Sequence, residues 1–183
     1  MRTIELESMA IDIPVVAGHP NREPFVGVLT LVDVPSDRAP AGARGHRVIL
    51  TRAAAEAALP SLLGMGLDYS PSLDRHDAQR KVGIITRAEI VGRAVELGGY
   101  LFAKDFPEIV NKIGRGPRGI EAQSRRSGQA SGLGMSYEIA DASVADLRAK
   151  VWTLTQVTFT GAAILRRDKA AYQDTWIELE HDI

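Results

Sequence analysis

Gly132-Leu133-Gly134-Met135-Ser136-Tyr137-Glu138-Ile139 places apolar side chains at every odd position and Gly, Ser and Glu between them. A period of two is the signature of a half-buried strand, because successive side chains leave a β-strand on opposite faces. Ser136 is therefore expected to point off the packed face, with Gly134 beside it leaving room for an approaching group. A serine presented in this way is either a nucleophile or an ordinary strand residue. The stretch alone does not choose between them.

Working outward, the segments on either side also read mainly as strands. Val151 to Leu165 is a long β-rich run whose alternation changes phase near Gln156, as at a bulge or bend. Upstream, Val82 to Ile90 and Ala94 to Phe102 flank Val91-Gly92-Arg93 and read as a hairpin. Ile11 to Ala17 and Phe25 to Val34 read as a pair of strands about the turn-like Gly18-His19-Pro20-Asn21-Arg22, and Arg47 to Leu50 as a short strand. Helices are few and short. Thr51 can cap one through the alanines from Ala53 to Ala58, with Pro60 forcing a kink or a second turn and Gly64 and Gly66 ending it. Asp105-Phe106-Pro107-Glu108 opens another, on which Phe106, Ile109, Val110 and Ile113 recur at helical spacing before Gly114. Asp168 to Tyr172 has room for one helical turn, and the last ten residues read as a strand or a tail. Residues 114–132, rich in Gly and Arg, read as a mobile surface loop, or else as a substrate-contacting flap or a site of cleavage. The expectation is an α+β chain: a mostly antiparallel, barrel-like sheet with two or three short helices.

At 183 residues and 45% hydrophobic content the chain reads as one domain over 1–183, with a core from about 25 to 175. A formal charge of −1 offers no global field toward nucleic acid or acidic lipid. The basic residues of 114–132 are few and lack aromatic partners, which argues against nucleic-acid binding. Cysteine is absent, which removes disulfides and thiol catalysis. There is no signal-like N-terminus and no apolar run long enough to span a bilayer, so the chain reads as intracellular, without a membrane partner. His19, His46, His76 and His181 lack ligand-like spacing, and Asp68, Asp74 and Asp77 match no metal loop, so neither a metal nor another cofactor is expected. Gly64-Met65-Gly66 lacks the lysine of a nucleotide loop and the third glycine of a dinucleotide fingerprint.

A serine hydroxyl becomes a nucleophile when a neighbouring base takes its proton and a third group orients that base. His76 is the best-placed base, since it lies in a polar loop just ahead of a strand. The alternative is an exposed loop histidine between Arg75 and Asp77.

The order of several segments resembles the prohead (capsid maturation) serine proteases of tailed phages, a family distantly similar to the herpesvirus assembly protease. The segments are Leu67-Asp68-Tyr69 through His76-Asp77-Ala78-Gln79, Val82-Gly83-Ile84-Ile85-Thr86, Gly99-Tyr100-Leu101-Phe102 with Asp105-Phe106-Pro107-Glu108, Leu133 to Glu138, and Phe159-Thr160-Gly161-Ala162-Ala163-Ile164-Leu165 running to Tyr172. The resemblance covers roughly residues 25 to 175. It implies a herpesvirus-protease-like fold and a serine endopeptidase with Ser136 as nucleophile and His76 as base. It further implies that the enzyme trims scaffold and capsid proteins, and its own chain, inside the assembling procapsid in the host cytoplasm. A second copy of the chain is a further partner on this reading. The family places an acid, or a histidine in the herpesvirus relatives, on the strand after the serine. Here that position corresponds to Gln156, which can orient a histidine but cannot neutralise it. Three outcomes stay open: a slow enzyme using Gln156, an enzyme in which Glu138, Asp77 or Asp68 supplies the charge, or an inactive protease fold retained as a structural capsid-assembly factor. Glu138 shares the face of Ser136 and is expected to reach a histidine only if the strand bends.

Overall fold

The computed structural model describes residues 9–14, 16–114 and 132–180. Nine strands form one sheet: β1 (Met9–Ala10), β2 (Glu23–Leu31), β3 (Arg47–Leu50), β4 (Gly66–Asp68), β5 (Lys81–Val91), β6 (Ala94–Leu101), β7 (Leu133–Val144), β8 (Val151–Arg166) and β9 (Trp176–Leu179). Two helices accompany them, α1 (Arg52–Ala58) and α2 (Pro107–Gly114), with a 3₁₀ turn over Leu59–Leu62. The main path of the sheet is β3-β8-β4-β5-β6-β2-β9, with β7 paired to β8 and β1 to β5. Pairing is mostly antiparallel. The exceptions are β3 and β4, which both run parallel to β8. The sheet curls into a half-barrel that brings β7 over β2 and β9. Gly27 marks that closure, since a Cβ there would lie 2.8 Å from Met135 Sδ and 2.5 Å from the Trp176 carbonyl oxygen. Phe25, Leu29, Leu67, Ile85, Leu97 and Phe159 fill the interior. This is the mixed, mostly antiparallel architecture with short helices that the sequence predicts.

Local signals account for most elements. Thr51 caps α1, its hydroxyl accepting from the Ala54 N–H at 3.2 Å. Pro60 falls in the 3₁₀ turn, where its missing N–H is tolerated. Gly92, at a φ of +60°, makes the turn between β5 and β6. The change of phase near Gln156 is a slip in the β7–β8 ladder, where Ser143 opposes Gln156 but Val144 opposes Leu154.

Two expectations fail. Ile11 to Ala17 is not a strand beside β2, because β2 already has β6 on one edge and β9 on the other. What pairs instead is Met9–Ala10, against β5, and Pro14 beyond it has no N–H to extend a ladder. Asp105 was expected to cap α2, but Phe106 immediately precedes the helix and the Asp105 carboxylate accepts from Asn21 Nδ2 at 2.8 Å. The expected loop over 114–132 lies, apart from its two end glycines, outside the described residues.

Candidate active site

Three adjacent strands set out the site as rows of paired residues on one face. From Leu133 to Glu138 the β7–β8 ladder runs without a slip, placing Ser136 opposite Ala163 and Glu138 opposite Gly161. On the other edge of β8, Asp68 of β4 also pairs with Ala163. Paired residues share a face, so Asp68, Ala163 and Ser136 form one row, with Gly66, Gly161 and Glu138 beside it. The middle strand carries only Ala and Gly in these rows. Long side chains from β4 and β7 can therefore lie across β8. A Cβ on Gly161 would sit 2.6 Å from Glu138 Oε2, so the missing side chain is the space the carboxylate occupies.

His76 comes down onto this surface from the loop joining β4 to β5. Its Nε2 lies 3.2 Å from Ser136 Oγ and its Nδ1 lies 3.1 Å from Glu138 Oε1. An ionised carboxylate only accepts, so Glu138 keeps the ring proton on Nδ1 and leaves Nε2 free to accept from the serine hydroxyl. The loop is pinned on both sides of the histidine. The Asp77 N–H donates to Asp68 Oδ1 at 2.9 Å, and the Leu73 carbonyl accepts from the Arg166 N–H at 2.7 Å. Beside the Leu73 anchor the Ser70 and Ser72 hydroxyls donate to Asp74. The Ser72 bond, foremost among the causes, holds the Asp74 carboxyl below its usual range.

The structure thus brings together Ser136, His76 and Glu138, and leaves Gln156 apart. Gln156 is exposed and opposes Ser143, seven residues along β7 from Ser136. It lies away from the His76 ring. Nor does the strand have to bend for Glu138 to reach the histidine. Residues i and i+2 of a strand stand about 6.8 Å apart on one face, and an imidazole laid along the strand bridges that gap with one nitrogen toward each. The slip in the ladder comes only after Glu138, where Ile139 opposes Phe159 and Thr160 is passed over.

Behind the ring, Lys81 opens β5 directly opposite Asp68. Its ammonium lies 3.1 Å from Asp68 Oδ2 and 3.6 Å from Glu138 Oε2. Asp68, His76 and Glu138 therefore form a compact donor group, with one ligand atom from each within 4.8 Å of the others, although spacing along the chain gives no sign of it. Lys81 supplies the positive charge that two neighbouring carboxylates require. Lys81 and the two glycines under the rows, Gly66 and Gly161, are what sequence reasoning missed. A glycine within a strand pattern is the signal that could have flagged both.

In front of the ring, a cleft of about 680 Å³ takes in Ser136 and His76 and continues over Ile139, Val144, Trp152 and Leu154. The loop through Pro40 and Ala43 forms its other wall. The Tyr137 ring points the opposite way from Ser136, meeting Phe159 edge-on at 5.8 Å, and burial pushes its phenol far above the ordinary range. Two of the other histidines make contacts of their own. His19 Nδ1 accepts from the Asn21 N–H, His46 stacks on Trp152 at 4.5 Å, and His181 lies outside the described residues.

No protein-family model matches the chain, and no curated protein does. Among solved structures it is similar to KSHV protease in complex with a hexapeptide phosphonate inhibitor, with a TM-score of 0.48 and 13% identity over 87% of this chain and 66% of that one. Two structures of Kaposi's sarcoma herpesvirus protease in complex with allosteric inhibitors give TM-scores of 0.39 and 0.38, at 14% and 13% identity, over 87% of this chain and 78% of theirs. The chain spans just under two thirds of the length of the first of these. The likeness is one of fold, to the herpesvirus protease.

Proposed function

We propose that the protein is a serine endopeptidase of phage procapsid maturation. The observation that carries the enzymatic reading is the placement of His76 between Ser136 Oγ at 3.2 Å and Glu138 Oε1 at 3.1 Å. In this reading Ser136 Oγ attacks the scissile carbonyl carbon as its proton passes to His76 Nε2. The imidazolium so formed is held by Glu138, and it returns the proton to the leaving amine. Water then repeats the sequence on the acyl-enzyme and frees Ser136. The apolar floor of the cleft, which runs from Ser136 along to Val144, Trp152 and Leu154, supports a peptide substrate that presents apolar side chains there.

The order of motifs shared with the prohead proteases supports the biological role. Scaffold and capsid proteins and the enzyme's own chain are the substrates, and the assembling procapsid in the host cytoplasm is the setting. Gln156 in place of an acid favours an inactive, structural protease fold, whereas the carboxylate of Glu138 at the ring supports the active reading. The test uses a fluorophosphonate probe on the whole chain, followed by co-expression with scaffold and capsid proteins. The proposal expects labelling of the wild type, none of Ser136→Ala, and trimming that disappears with Ser136→Ala. A wild type that takes no label and enters particles untrimmed is the structural factor instead. Trimming that persists in Ser136→Ala overturns the assignment of the nucleophile.

A further inference from the structure

The donor group behind His76 contains more charge than a three-residue relay uses. Asp68 is fully buried, yet it makes no contact with the serine or the imidazole among the described hydrogen bonds. One of its oxygens accepts from the Asp77 N–H, the residue next to His76, and the other lies on the Lys81 ammonium. The same ammonium reaches Glu138 Oε2, on the side of the carboxylate turned away from the ring. Space is set aside for this arrangement. A Cβ on Gly66 would lie 2.6 Å from Lys81 Cδ and 3.1 Å from its Cγ, so the lysine stem runs through the gap that glycine leaves. Gly161 leaves the corresponding gap for Glu138. The β4–β5 ladder slips between Leu67 and Asp68, and with that slip Lys81 stands opposite Asp68.

Resting on the serine-protease reading, we propose that Lys81, anchored by Asp68, is a positioning residue that holds the Glu138 carboxylate against His76. Asp68 is then the common fixed point of both arms. It ties down the histidine loop through Asp77, and it ties down the acid through Lys81. The charge balance fits this role. With a neutral imidazole the group comprises two carboxylates and one ammonium, an excess of one negative charge. Transfer of the serine proton to His76 makes the group neutral at the moment of attack. An ammonium against the far oxygen also keeps Glu138 from swinging out to water, which a partly exposed carboxylate would otherwise do.

The experiment compares wild type, Lys81→Met, Asp68→Asn and the double variant, measuring three quantities on each: melting temperature, rate of fluorophosphonate labelling at Ser136, and the low-field resonance of the His76 Nδ1 proton. Lys81→Met leaves Asp68 buried without its cation, so it is expected to lower the melting temperature, and Asp68→Asn in the same chain restores much of that loss. Labelling is expected to fall about 10- to 100-fold in Lys81→Met. It stays low in the double variant, where the fold is restored but nothing holds Glu138. The Nδ1 resonance weakens or disappears in both. Recovery of labelling together with melting temperature in the double variant would mean that Lys81 serves the fold alone, and would overturn the proposal. A wild type that takes no label fails the protease reading, and the inference falls with it. Labelling of the wild type and of Lys81→Met at equal rates, with the Nδ1 resonance unchanged, fails the inference alone.

Discussion

Gly161→Ala is the sharpest probe of the site because it touches neither Ser136 nor His76. The added Cβ would lie 2.6 Å from Glu138 Oε2 and 3.2 Å from the Gly66 carbonyl oxygen. An ordinary carbon–oxygen contact is about 3.3–3.6 Å, so the carboxylate must retreat by about 0.7–1.0 Å. The backbone opposite cannot give way cheaply, since Gly161 is held between β7 and β4. A retreat of that size stretches the 3.1 Å contact with His76 Nδ1 beyond useful hydrogen-bond length. A hydrogen bond to a charged group contributes about 1.5–3 kcal/mol, which corresponds to about a 10- to 150-fold loss of rate. The assay is the second-order rate of fluorophosphonate labelling, with melting followed in parallel. A double-mutant cycle isolates the cause: once Glu138→Ala has removed the carboxylate, Gly161→Ala has nothing left to displace and lowers the rate no further. A Gly161→Ala protein that labels within twofold of wild type, or one that lowers the rate equally in the Glu138→Ala background, refutes the reasoning.

Other substitutions test neighbouring links. Glu138→Gln keeps an acceptor at Nδ1 but removes the charge. The same change in the trypsin-type triad costs about 10⁴ in rate, an upper bound here because Glu138 is 21% exposed and shares its charge with Lys81. A rate unchanged by this substitution would mean that the carboxylate does not act on the ring. The Tyr137 hydroxyl is buried without a hydrogen-bond partner among the described residues. Tyr137→Phe should therefore stabilise the protein by about 1 kcal/mol, raising the melting temperature by about 2–4 °C; a fall would show that the hydroxyl is satisfied. Tyr172 donates to the Val34 and Val48 carbonyls, and burial pushes its phenol up to about 12. Its neutral form is thus favoured by folding, and that contribution is complete below pH 10 and is lost as pH rises toward 12. Relative to Tyr172→Phe, the wild type should lose about 2–3 kcal/mol over that window. Parallel alkaline unfolding curves would contradict the assignment.

Much of this site was legible because its parts obey short-range rules. Alternation placed Ser136 and Glu138 on the polar face of one strand, and the polar loop ahead of β5 pointed to His76. The third group was harder. Correspondence with a family position pointed to Gln156, but strand register is set by pairing, and β8 pairs so that Gln156 falls opposite Ser143. Glu138 stands among the open alternatives, expected to reach a histidine only through a bend, whereas a ring lying along the strand joins residues i and i+2 directly. Lys81 was illegible for a different reason. It sits at the start of a strand, where lysine is ordinary, and its partners come from β4 and β7. Only the pairing of β4 to β5 and β8 brings the three together. The N-terminal strand failed for the same reason. Valine-rich composition favours a strand, but both edges of β2 are occupied by segments far along the chain.

The parallel contact of β4 with β8 also sets the order in which the protein can become competent. The β5–β6 and β7–β8 hairpins need only local closure. Leu67 meets Ala162 only after a loop of about 95 residues has closed, and contacts of such long range are slow to form. The β7–β8 hairpin that presents Ser136 and Glu138 is local, whereas Asp68, Lys81 and the histidine loop join it only through that contact. On the serine-protease reading, Ser136 stays apart from its proposed base until the β7–β8 hairpin docks onto β4. For a protein proposed to cut its own chain and its neighbours, that order ties the first cleavage to completion of the sheet.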